Sequence, residues 1–121
     1  EAAALRKRGA RLVILMSHSG MEADLELGKK LEGVDVIVGG HSQTLTPRPL
    51  QGGGAIVVQA GANGARIGIL ELSVSGGKAR VVKNSFRFPD EHHPADDPRV
   101  RRIIDRYNAE LKREMEKTRP R

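Results

Sequence analysis

At 121 residues the chain has room for one domain of ordinary size and not for two. It holds no cysteine, which excludes disulfides and thiolate metal sites, and only Phe86, Phe88 and Tyr107 are aromatic, too few for base-stacking platforms. The net charge of +6 belongs mainly to residues 98–121, with nine Lys and Arg against four Asp and Glu, so the preceding body is close to neutral. No apolar run approaches the roughly 18 residues that a membrane span needs, and no secretory leader is visible. The first residue is Glu1 rather than Met, so the chain is expected to be a segment of a longer one.

Residues 1–9 read as the end of a helix, good helix formers closed by Gly9. Arg11 to Met16 is a continuous apolar run of strand length, suited to a sheet covered on both faces. Met21, Leu25, Leu27 and Leu31 stand between charges as an amphipathic helix ended by Gly33, and Val34 to Val38 is a second buried strand. Strand, helix and strand at this spacing predict a βαβ unit with neighbouring parallel strands. Gly39-Gly40 then opens a loop holding Pro47, Pro49 and Gly52 to Gly54, where no regular structure is expected.

Ala55 to Ala60 is predicted as a third strand and Arg66 to Ser75, with Ile67, Ile69, Leu70, Leu72 and Val74, as a fourth. Gly76-Gly77 signals a hairpin turn and Lys78 to Phe88 the returning strand, so the middle of the chain reads as antiparallel. The expected organisation is an α/β core over 1–88, a Pro-interrupted polar linker over 89–97 and an amphipathic helix over 98–119 packed across the core. That helix has Asp97 as N-cap and Pro98 at its first position, with Val100, Ile103, Ile104, Tyr107, Leu111 and Met115 on one face.

Two features carry chemistry. His18 lies two residues beyond the first strand, and His41 and Gln43 lie just beyond the second. In open α/β sheets ligands bind outside the carboxyl ends of the strands, so neighbouring strands would bring both imidazoles to one edge. Neutral imidazole suits Zn, Mn, Fe, Co or Ni, and a Gln carbonyl oxygen adds a harder donor. Gly39 and Gly40 are expected to let the backbone turn sharply and aim the pair. A lone histidine near a strand end is ordinarily a polar loop residue; two at equivalent strand ends, with an oxygen donor beside the second, point further.

The segment from Met16 to Thr44, with its Ser-His-Ser-Gly and Gly-Gly-His-Ser-Gln-Thr motifs, resembles the second half of the catalytic domain of bacterial 5′-nucleotidases and related calcineurin-like metallophosphoesterases. Val57 to Gly61, Arg66 to Leu72 and the tail from Asp97 resemble the strands and closing helix that follow in that family. The resemblance implies half of a four-layer αββα sandwich, made of a βαβ unit, an antiparallel extension and a C-terminal helix. It implies two divalent ions about 3.5–4 Å apart, with His18 and His41 on one and Gln43 on the other. Zn, Mn, Fe, Co, Ni and Mg all remain open as the metal. Catalytic and carboxylate ligands are expected from the missing N-terminal half, since the family's Gly-Asp and Gly-Asn-His motifs do not occur here. The implied substrate is a phosphate monoester or nucleotide, and the implied location periplasmic or extracellular.

Other readings are weaker on physical grounds. Gly40 to Thr44 resembles a serine nucleophile elbow, but Pro47 and Pro49 forbid the helix that must follow, so Ser42 is expected to be a loop hydrogen-bonder. The glycines at 52–54 lead into a strand and lack the helix N-terminus that would hold phosphate. The basic C-terminal helix mixes Asp105, Glu110, Glu114 and Glu116 with its arginines, and nucleic acid is not an expected partner. His92 and His93, between Pro89 and Pro94, are read as solvated linker residues. The remaining alternative is an inactive unit for folding or assembly that self-associates through an exposed sheet edge.

Overall fold

The apolar runs at 11–16, 34–38 and 55–60 form three adjacent strands of one sheet, although each pairs over fewer residues than its hydrophobicity suggests. A computed structural model describes residues 1–89 and 97–117. The chain divides into two units, Glu1–Pro89 and Asp90–Arg121. The first begins with helix α1 (Ala2–Lys7), followed by strand β1 (Ile14–Met16), helix α2 (Met21–Lys30), and strands β2 (Val36–Val38), β3 (Leu50–Gly52) and β4 (Ala55–Val58). Strands β5 (Ile67–Ser75) and β6 (Lys78–Arg87) complete it.

The first sheet has the order β1-β2-β4-β3, with β1, β2 and β4 parallel and only β3 antiparallel. Two expectations are corrected here. The loop between Gly40 and Ala55 is not wholly irregular: Leu50–Gly52 is a strand, joined to β4 by a tight turn at Gly53-Gly54. It lies at the sheet edge, where the prolines just before it cost no ladder hydrogen bonds. The strand at 55–58 pairs parallel with β2, so the antiparallel part of the chain is the β3 edge and the separate β5–β6 hairpin.

Ile37, Ala55 and Val57 are fully buried on one face, packed with Leu15, Met21, Leu25, Leu27 and Val34. Val36 and Ile56, which alternate with them, are buried on the opposite face. That explains why the central strands read as unbroken apolar runs. Helix α2 lies against β3 through glycine: a Cβ on Gly28 would stand 2.4 Å from the Gly52 carbonyl oxygen. Helix α1 is tied down by Arg6, whose guanidinium pairs with the Asp35 carboxylate at the entry to β2 and donates to the Ala10 carbonyl at 3.1 Å. The same carboxylate accepts the Val13 amide at 2.6 Å.

In the second unit, helix α3 spans Pro98–Lys117. Asp97 caps it, accepting the Arg99 amide at 2.8 Å, and Arg101–Asp105 and Glu114–Lys117 pair along its surface. The stripe from Val100 to Met115 lies on one face of a single helix and cannot be buried by that helix itself. The linker expected at 89–97 lies outside the described residues except at its ends, as do His92, His93 and the last residues of the expected helix.

Candidate functional site

Parallel pairing of β1 with β2 places Met16 beside Val38, so the two loops that follow leave the sheet side by side at its carboxyl edge. His18 and His41 meet there edge to face, with ring centroids 5.2 Å apart and planes at 75°. Both are exposed. Gln43 follows two residues later, also exposed, and its side chain makes no hydrogen bond among the described residues. The structure therefore brings the histidines together and leaves Gln43 beside them as a free carboxamide. Among the described residues no group of three or more His, Cys, Asp or Glu side chains converges on one point.

The aiming device differs from the expected one. Neither Gly39 nor Gly40 has a positive φ; His41 and Gln43 do, at 66° and 54°. The Ser42 amide donates to the Gly40 carbonyl at 2.8 Å, closing a tight three-residue turn with His41 at its centre. Such a turn is rare and strained for a residue with a side chain. The glycines serve another purpose, which is room. A Cβ on Gly39 would lie 2.1 Å from Asp24 Oδ2, and one on Gly40 would lie 3.0 Å from His18 Nδ1.

Beneath the histidines lies a polar cluster that sequence reasoning missed. Asp24 is 0% exposed and Gln59 3% exposed. Asp24 accepts a short hydrogen bond from the Ser17 hydroxyl and a longer one, 3.5 Å, from Gln59 Nε2. Gln59 Nε2 also donates to the Gly40 carbonyl at 3.0 Å, while Gln59 Oε1 accepts from the Ser42 hydroxyl at 3.0 Å and the Thr44 amide at 3.1 Å. Ser42 Oγ in turn accepts the Met21 amide at 3.1 Å, capping α2, whose preceding Gly20 offers no side chain. Ser42 is thus a loop hydrogen-bonder, as expected, and not a nucleophile on an elbow. One signal for Asp24 was present: it shares the face of α2 with Met21, Leu25 and Gly28, where a carboxylate is out of place.

No protein-family model matches the sequence. Among individual proteins, it is 30% identical over 104 residues to the trifunctional nucleotide phosphoesterase YfkN of Bacillus subtilis, covering 82% of this chain and 7% of that one. It is 30% identical to the snake venom 5′-nucleotidase of Naja atra, over 85% of this chain and 23% of the relative. Among solved structures it matches the sulfate thiohydrolase SoxB of Thermus thermophilus with a TM-score of 0.65 and 32% identity, over 77% of this chain and 17% of the other. The chain is the C-terminal portion of a 5′-nucleotidase-like metallophosphoesterase domain. Its mixed α/β architecture is that of half of the sandwich. It spans less than a quarter of the length of either nucleotide-hydrolysing relative.

Proposed function

We propose that the chain contributes His18, His41 and Gln43 as ligands to a pair of divalent ions, in a longer protein that hydrolyses phosphate monoesters, nucleotides in particular. The observation that carries the reading is the edge-to-face pair of imidazoles, 5.2 Å apart, at the carboxyl edge of a parallel sheet. An imidazole nitrogen about 2.1 Å from a first-row ion puts its ring centre about 3.2 Å from that ion. Two such rings stand about 4.5 Å apart at a right angle around the ion and about 5.2 Å apart at a tetrahedral angle. The donor chemistry fits as well: two neutral imidazoles and a carboxamide oxygen, exposed and uncommitted.

Bound divalent ions would polarise the phosphoryl group and acidify water. Residues of this chain would hold and orient them: His18 and His41 on one ion, Gln43 on the other. Three neutral donors leave the charge of two dications uncompensated, so carboxylates from the remainder of the protein belong to the same centre. The name of YfkN supports nucleotides as substrates, and the venom relative supports an extracellular location.

Hydrolysis of a nucleoside 5′-monophosphate by the longer protein, before and after chelation, tests this function. Activity that chelation abolishes and a divalent ion restores is expected. His41→Ala should lower it by more than the roughly 10–100-fold that loss of an outer-shell partner costs. SoxB, at similar identity, is named a sulfate thiohydrolase, so a sulfate-releasing thio substrate belongs in the same assay. Turnover of that substrate and not of nucleotides would overturn the nucleotide assignment.

A second reading rests on β1. Its outer edge is unpaired among the described residues, and Ile14 and Met16 on it are 52% and 84% exposed. On that reading the chain alone is an inactive module that self-associates edge to edge.

A further inference from the structure

We propose that Asp24 and Gln59 are positioning residues that set the two histidine loops against each other. The inference rests on the metal-ligand reading of His18, His41 and Gln43. The buried pair grips the neighbour of every candidate ligand and no ligand itself. Asp24 holds Ser17, the residue before His18. Gln59 Nε2 holds the Gly40 carbonyl, before His41. Gln59 Oε1 holds the Ser42 hydroxyl, between His41 and Gln43, and the Thr44 amide, after Gln43. The ligating atoms stay free while the backbone carrying them is fixed.

Four elements converge to do this. Asp24 comes from α2, the histidine loops extend β1 and β2, and Gln59 follows the last residue of β4. Gln59 is itself immobilised: its amide donates to Thr46 Oγ1 at 2.9 Å, and its carbonyl accepts from the Thr46 hydroxyl at 2.9 Å and the Thr46 amide at 3.1 Å. Both donors and both acceptor sites of the Gln59 carboxamide are used, so its orientation is defined. The left-handed conformations of His41 and Gln43 carry strain that a free loop would relax. Hydrogen bonds on either side of each residue oppose that relaxation. Asp24 is charge-suited to the place as well: it lies in the first turn of α2, where the helix dipole favours a carboxylate. Its oxygens are held by neutral donors and form no ion pair among the described residues. Outer-shell groups of this kind orient metal ligands and tune affinity.

The full-length protein tests the proposal with Asp24→Asn, Gln59→Glu and the double variant. Asp24→Asn must turn its NH2 either to Gln59 Nε2 or to Ser17 Oγ, which loses one of the two hydrogen bonds that the carboxylate accepts, and Gln59→Glu sets carboxylate against carboxylate. In the double variant the new amide at position 24 donates to the new carboxylate at position 59, and only the Gly40 carbonyl stays without its donor. Cobalt(II) affinity and amide exchange of residues 39–46 in the metal-free protein are measured for each. Each single variant should weaken cobalt binding about 10–100-fold and speed exchange in 39–46, with exchange in β5 and β6 unchanged. The double variant should recover the larger part of both. Single variants that bind cobalt like the wild type, or a double variant no better than the worse single one, would overturn the proposal. If the wild-type protein binds no cobalt, the metal reading fails by itself; the exchange pattern then decides the positioning role, loss with recovery supporting it and no loss refuting it. Should either single variant fail to fold, Ser17→Ala, which removes one donor to Asp24, carries the same expectations at smaller amplitude.

Discussion

Gly39 shows how tightly the site is built at the level of one residue. A methyl group there would stand 2.1 Å from the Asp24 carboxylate and 2.8 Å from Gln59 Nε2, both on buried side chains with nowhere to retreat. Gly39→Ala is therefore expected to cost roughly 1–3 kcal/mol, the range for overpacking a filled interior. Urea unfolding of the variant measures it, and a midpoint equal to that of the wild type would contradict the geometry. Gly54→Ala, with nothing within 4 Å of the added Cβ, is the matching control. His18 and His41 were legible as candidates because imidazoles at the ends of two apolar runs converge once the strands pair in parallel. The role of Gln59 was not legible. An amide after a strand has no preferred partner until the fold brings Gly40, Ser42 and Thr44 to it. The positive φ of His41 and Gln43 was equally hidden, since the two glycines beside them drew the expectation of the turn to the wrong residues.

Asp35 decides where two elements begin. The apolar run from Arg11 predicts a strand of six residues, yet β1 starts at Ile14. The Val13 amide is taken by the Asp35 side chain instead of a ladder partner, and Arg6 closes on the same oxygen. Asp35→Ala would leave a buried amide without an acceptor and a guanidinium without its carboxylate, a loss of roughly 2–4 kcal/mol. Asp35→Asn keeps an acceptor for Val13 and should cost less. Equal stability of the alanine variant and wild type in thermal unfolding would refute this account of α1 docking.

Helix α3 offers a pH test at the same scale. The Asp97 carboxyl is held below its ordinary value first by the Arg99 side chain and then by the Arg99 amide. A depressed acid stabilises the folded form above its unfolded value, and that stabilisation is lost as pH falls through the lowered one. Helicity of a peptide spanning 97–117 should therefore drop as the solution is acidified through that acidic window, and the Asp97→Asn peptide should lack that part of the drop. Circular dichroism of the two peptides, superimposable across the acid range, would be the contrary result.

Across the whole chain, α/β character and a C-terminal helix followed from periodicity, because buried parallel strands and an amphipathic helix leave unmistakable apolar patterns. Strand order did not. Nothing in Ala55–Val58 distinguishes a parallel neighbour of β2 from an antiparallel one, and glycine and proline around Leu50–Gly52 masked an edge strand. The open side of β1 predicts behaviour for the isolated 121-residue chain. With Ile14 and Met16 exposed, it should sediment as a concentration-dependent dimer, and Met16→Lys should shift it to monomer. A wild-type chain monomeric at all concentrations would remove the edge-to-edge reading.

The proposed function stands on metal binding by His18 and His41. Metal content of the longer protein after exhaustive dialysis, wild type beside His18→Ala and His41→Ala, tests it most directly. Two divalent ions per chain are expected in the wild type, with at least one lost in each variant. Wild-type protein free of metal, or variants retaining the full complement, would contradict the assignment of His18 and His41 as ligands.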